Sequence, residues 1–113
     1  MQLLTRKLNN ATIISIIGDL DASSAVNLDN MISEVKIGGE KNLLFDCTGL
    51  QYISSAGLGV FMSYIQDFTD EGIFMALYGM SDKVKNVFSI LGLEKLIKIF
   101  NTEEEAIDAS NVK

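Results

Sequence analysis

Apolar and polar positions follow two different periods along this chain, and the changes of period mark its elements. Thr12-Ile13-Ile14-Ser15-Ile16-Ile17 is a β-branched run that predicts a strand. Leu3 to Leu8 reads as its hairpin partner across Asn9-Asn10. Ala25, Leu28, Ile32 and Val35 then recur at helical spacing behind an N-cap at Asp21 or Ser23, and Gly38-Gly39 ends that helix. Asn42 to Cys47 is a short, mostly apolar run, the mark of a strand buried on both faces. A polar turn follows it. From Ala56 to Thr69 the pattern is helical again, with Leu58, Phe61, Ile65 and Phe68 on one stripe. Asp70-Glu71-Gly72 turns the chain into an apolar strand, Ile73 to Tyr78. Ser81 is placed to cap a helix that turns Val84, Val87, Phe88 and Leu91 inward, and Gly92 closes it. Ile97 to Phe100 predicts a short strand. Thr102 and Glu105, three apart, form a capping box at the start of a last helix.

Strands that alternate with helices imply an α/β fold, its sheet parallel through the middle and made mixed by the leading hairpin. About five strands and about four helices are expected. The 113 residues contain no proline, linker or repeat, and they suit one domain spanning residues 1–113.

Composition narrows the class. Apolar residues make up 48% and charged residues 21%, an ordinary globular profile, and no apolar run approaches a membrane span. The chain opens on a patterned segment and not on a signal-peptide core, which predicts a cytoplasmic protein with no membrane partner. The single cysteine, Cys47, agrees with a reducing compartment and reads as a small buried hydrophobe. Nine Lys and Arg against fifteen Asp and Glu give a net charge of −6, which speaks against direct nucleic-acid binding. Acidic chains tend to meet basic partner surfaces.

The chain offers little for catalysis. It has no histidine, so Ser-His-Asp and Cys-His machinery and His-containing zinc sites are excluded. No Gly-Lys-Ser/Thr follows Gly57-Leu58-Gly59, and no third glycine completes a dinucleotide fingerprint. No metal or cofactor is expected, nor an enzyme. Asp19 and Asp21 sit in a strand-to-helix turn, where capping accounts for Asp21 as well as partner contact does. Glu103 to Glu105 suit the dipole of a helix start.

The segment from Ser54 to Gly59 is the most informative. A serine at a helix start accepts from a free backbone N–H, and those N–H groups with the helix dipole also favour an anion such as phosphate. Ser54 and Ser55 are equally placed to cap. Gly57 and Gly59 each cost a helix about 1 kcal/mol relative to alanine, which suggests close backbone approach there. Gly57 could instead pack inward against the strand ending at Asp46. Asp46 reads as a hydrogen-bonding partner of the turn beside it, with phosphate chemistry as the alternative. Val60, Met62 and Tyr64 fall off the buried stripe, as ordinary surface apolars or as a docking patch.

Tyr52-Ile53-Ser54-Ser55-Ala56-Gly57-Leu58-Gly59 resembles the signature of the STAS domain as found in bacterial anti-sigma-factor antagonists. Gly18-Asp19-Leu20-Asp21, Ser81-Asp82-Lys83-Val84 and Leu91 to Ile99 are similar to the family as well, so the likeness runs from about Leu3 to Ile107. The resemblance implies a STAS fold and makes Ser55 the phosphoacceptor, with Ala56 at a variable small position. Ser54 stands where many antagonists carry aspartate. It further implies a partner, an anti-sigma factor with serine kinase activity, that binds the unmodified chain through Asp21, Ser54, Ser55, Ala56, Gly57, Gly59, Val60 and Met62. Phosphorylation would break the complex and a Ser/Thr phosphatase would reset it. Asp46, Asp19 and Ser81 would be structural or tuning residues. Two alternatives stay open: a STAS scaffold or ligand sensor whose Ser55 is never modified, and a nucleotide-binding or hydrolysing protein.

Overall fold

The β-branched and apolar runs form a six-stranded sheet with four helices, in a computed structural model that describes residues 1–110. The strands are β1 (Gln2–Leu8), β2 (Ala11–Leu20), β3 (Asn42–Asp46), β4 (Leu50–Ile53), β5 (Phe74–Tyr78) and β6 (Lys98–Phe100). The helices are α1 (Ala22–Ile37), α2 (Ser55–Asp70), α3 (Asp82–Ile90) and α4 (Glu103–Ala109). The sheet order is β1-β2-β3-β5-β6, with β4 paired to β2 off that path. Among the described residues only β1 and β2 pair antiparallel; the other pairings are parallel. The expected leading hairpin and parallel middle are both present.

One strand was missed. The polar turn expected after Cys47 lasts only to Gly49, and Leu50–Ile53 then resumes along β2. Strand β2 therefore serves two neighbours in succession, β3 through Thr12–Ser15 and β4 through Gly18–Leu20, with a bulge between Gly18 and Asp19. Gly18 has φ +99, a value open to glycine and rarely to other residues. The Gly18 N–H donates to the Gly49 carbonyl at 2.8 Å where the neighbour changes. Strand β4 buries only its two end residues, so it carries neither strict alternation nor a continuous apolar run.

Helices α1, α2 and α3 cover one face of the sheet. Beneath them Ile14, Ile16, Leu43, Phe45 and Leu77 meet Leu28, Ile32, Leu58, Phe61, Phe68 and Phe88 in one core. The rings of Phe45 and Phe61 pack edge to face with centroids 5.0 Å apart, worth about 0.5–1.5 kcal/mol beyond their burial. On the opposite face a smaller cluster of Ile13, Leu44, Phe74, Ala76 and Tyr78 is closed by Ala106 and Ile107 of α4. The Thr102–Glu105 capping box holds the start of α4, and Glu103 binds both Arg6 and the Tyr78 hydroxyl. Leu91, expected inward, is exposed. Helix α3 ends at Ile90, and the chain swings away at Gly92, φ +71, before Leu93 turns back into the core.

Candidate functional site

Two helices begin side by side at the carboxyl ends of β2 and β4. Leu20 and Ile53 are register partners, and the residue after each is an N-cap: Asp21 for α1 and Ser54 for α2. A hydrogen bond from the Ser54 N–H to the Leu20 carbonyl at 2.9 Å locks the second start to the first.

The choice between the two serines is settled by geometry. Ser54 has extended backbone, and its Oγ accepts from the Gly57 N–H at 3.1 Å while its carbonyl accepts from Leu58. Ser55 is the first helical residue. Its side chain is exposed, and among the described residues its hydroxyl has no partner. With the Gly57 N–H taken, those of Ser55 and Ala56 remain as the uncapped donors that a helix start leaves over. The position offers a hydroxyl in solvent with donors and a favourable dipole beside it.

Asp21, and not Ser23, caps α1. Its Oδ1 accepts from the Ser24 N–H at 3.0 Å and from the hydroxyls of Ser24 and Ser23, each at 2.9 Å. Its own N–H donates to Ser24 Oγ at 2.9 Å, completing a reciprocal box. These bonds, the Ser24 N–H foremost, lower its carboxyl to about 2, so it stays ionised through the physiological range. Ser24 was missed from the sequence, although Asp-x-x-Ser is a capping spacing. Leu20 was missed too, and no polar pattern marks it.

The two glycines have different reasons to be glycine. Gly57 is buried: a Cβ there would lie 2.8 Å from Leu20 Cγ, 2.9 Å from Leu20 Cδ2 and 3.1 Å from Ile53 Cγ1. It was expected among the partner contacts, and its burial assigns it to internal packing. Its neighbours are Leu20 and Ile53, not the end of β3. Gly59 is exposed, and a Cβ there would meet nothing within 4 Å. Ala56 and Met62 are exposed as well, whereas Val60 is half-buried and packs partly on the core. Tyr64 is spoken for by α1: its hydroxyl donates to the Asp29 carbonyl at 3.2 Å and to the Asp29 carboxylate.

The remaining candidates lie apart from Ser55. Asp46 pairs in register with Ser15 and Tyr78, on the sheet face away from α2. Its Oδ1 accepts from the Thr48 N–H at 3.0 Å and the Thr48 hydroxyl at 2.7 Å, the turn-holding role expected of it. Asp19 is exposed, and its carbonyl accepts from Ser24 Oγ at 3.2 Å. Ser81 caps α3 through the Val84 N–H at 3.3 Å. Cys47 is buried with its N–H on the Tyr78 carbonyl, and burial pushes its thiol well above the usual range. Among the described residues no group of acids and thiols is arranged to hold a metal, and no helix is long and apolar enough to cross a membrane.

Comparison with known proteins agrees with this fold. A family model described as the STAS domain matches residues 2–106. The anti-sigma-B factor antagonist of Listeria monocytogenes is 30% identical over 92 residues, covering 81% of each chain. The crystal structure of an anti-sigma factor antagonist from Mycobacterium paratuberculosis superposes with a TM-score of 0.84 at 18% identity, covering 96% of this chain and 92% of that one. The phosphorylated form of the Bacillus cell fate determinant SpoIIAA superposes at 0.72 and 22% identity, over 95% and 97%. At those identities the two structures establish a shared fold.

Proposed function

This chain belongs to the STAS-domain family, and we propose that it acts as an anti-sigma-factor antagonist switched by phosphorylation of Ser55. The unmodified chain binds an anti-sigma factor that is also a serine kinase, and so releases a sigma factor. Asp21, Ser54, Ser55, Ala56 and Gly59 form the centre of that contact, with Met62 and the exposed part of Val60 at its edge. Phosphate on Ser55 ends the complex, and a Ser/Thr phosphatase restores it.

The observation that carries this reading is the division of labour between the serines. Ser54 takes the cap, which leaves the Ser55 hydroxyl in solvent at the first helical position. A phosphate there would add about −1.5 to −2 charges. The uncapped N–H groups and the dipole of α2 tolerate that charge, so the fold survives the modification. A partner seated over the same turn instead meets a bulky dianion beside the ionised Asp21. The switch then works by obstructing an interface and leaves the domain unchanged. Ser54 in place of an aspartate fits the same scheme, because serine and aspartate are about equally good N-caps. A relative that is an anti-sigma-B factor antagonist and a similarly folded protein known in phosphorylated form support the assignment.

The test is direct. Incubated with the anti-sigma kinase of its own organism and ATP, the chain gains one phosphate at Ser55, and Ser55→Ala gains none. Ser55→Asp folds and fails to bind the kinase. Phosphate mapped to Ser54 or Ser81 by mass spectrometry would sink the assignment.

A further inference from the structure

Helix α4 rests on β5 and β6, so among the described residues no helix covers the β1-β2-β4 side of the same face. Three large apolar side chains stand there in the open: Leu4 at 48%, Ile17 at 39% and Tyr52 at 48% exposure. Leu4 pairs with Ser15, and Ile17 lies two residues further along β2 on the same face. Tyr52 pairs with Asp19, and both point away from the helices because their neighbours Ile53 and Leu20 are buried beneath them. The three thus form a diagonal row across three strands. A hollow of about 290 Å³ opens beside it, bounded by Leu4, Ser15, Ile17, Asp46, Thr48 and Gly49.

Charge identifies what fits. Asp46 borders the hollow and Asp19 flanks the far end of the row. Two cations of this face are both engaged: Arg6 is bound to Glu103 and the Tyr78 hydroxyl, and Lys98, in register with Ala76, lies 5.4 Å over the Phe74 ring at the far edge of the sheet. Lys7 faces the other side of β1, on Thr12 and Glu40. The row is therefore apolar with carboxylates on both sides, on a chain of net charge −6. A second copy laid on it would bring acidic residues to an acidic surface. A segment that carries an aliphatic or aromatic side chain between lysines or arginines is complementary. Tyr52 also lies two residues before Ser54, so the row leads to the start of α2.

We infer that the uncovered sheet face at Leu4, Ile17 and Tyr52 is a second contact area for the partner that engages Ser55, and that this partner applies a basic, apolar-centred segment to it. The inference rests on the proposed switch reading and adds to it a surface on the far side of the sheet from α2. It explains why apolar side chains are kept in solvent here while the other cluster on this face is closed by α4. Contact here supplies affinity, and contact at Ser55 makes that affinity switchable.

The experiment is calorimetric titration of the purified anti-sigma kinase with wild type, Ser55→Asp, Ile17→Glu, Leu4→Glu and Asp19→Lys, at low and high salt. Thermal melting identifies variants that fold; Leu4, on the edge strand, is the safer of the two apolar sites. We expect Ser55→Asp to lose binding, and the three sheet variants each to lose about tenfold or more while folding normally. Asp19→Lys should also flatten the salt dependence. Loss with Ser55→Asp alone, the sheet variants binding like wild type, overturns this inference and leaves the switch reading standing. Tighter binding by Asp19→Lys overturns it by showing an acidic segment. Concentration-dependent dimers that Ile17→Glu dissolves overturn it in favour of a second copy. A wild-type chain that does not bind the kinase overturns the switch reading, and this inference with it.

Discussion

Helices α1 and α2 start on the same rung of the sheet, one residue past the Leu20–Ile53 pair, yet their caps differ in kind. Asp21 carries a permanent charge and spends it on the Ser24 N–H and two hydroxyls. Ser54 is neutral and uses one bond to satisfy one N–H, leaving the dipole at that end without a counter-charge. The first start is finished when the chain folds. The second is complete as structure and unfinished as electrostatics, and the exposed hydroxyl of Ser55 stands where a charge can be added later. Two neighbouring helix starts thus differ in the charge their caps leave unbalanced.

The comparison breaks most severely at the contact that holds the two starts together. Gly57→Ala drives a methyl into Leu20, the residue before Asp21, and should destabilise by about 1–3 kcal/mol in urea titration. An unchanged midpoint would mean that α2 slides freely on β2 and that the two starts are independent. Next in size is the cap itself. Ser54→Ala should cost about 1 kcal/mol, and Ser55→Ala close to nothing, because only the first removes a hydrogen bond. Equal losses would show that both hydroxyls share the cap.

How far these assignments were legible from the residues differs from element to element. The helix starts were readable because capping is local: Ser81, the Thr102–Glu105 box and the serine pair were visible from types and offsets of two to four residues. Which serine caps was not, since either offset is possible until the Leu20 carbonyl takes the Ser54 N–H. Strand β4 was missed because its rationale is the far end of β2, a pairing 32 to 33 residues distant. Leu91 reads inward because the helical period continues through it, but α3 stops at Ile90 and Leu91 is its exposed C-cap. The open face at Leu4 and Ile17 was invisible for a related reason. Their apolar runs promise strands covered on both faces, and α4, seven residues long and seated on β5 and β6, does not reach this part of the sheet.

Smaller effects sharpen the comparison. Ser55→Asp adds the missing counter-charge and should leave stability unchanged or raise it by about 0.3–1 kcal/mol, a shift of a few degrees in melting temperature. Loss of fold by circular dichroism would contradict a switch that spares the domain. The smallest effect lies at α1. The Asp21 carboxyl is lowered from 3.8 to about 2 in the folded chain, so its contribution is in place above about pH 3.8 and is lost as pH falls toward 2. Wild type should be more stable than Asp21→Asn at pH 7, and the two should converge near pH 2. A gap that persists there would assign the difference to shape and not to charge.

Cys47 adds a consequence of another sort. The only thiol of the chain lies buried between β3 and β4, with its N–H on β5, and burial suppresses its reactive thiolate. A thiol reagent can reach it only when the core around it opens, by the helices lifting or the strands parting. Labelling rate is therefore a built-in clock for opening events, with no engineered probe and no second cysteine to confuse the signal. Run on the unmodified and the phosphorylated chain, the clock reads the same in both if Ser55 signals from a rigid domain, and it quickens if charge at the start of α2 is felt as far as β5.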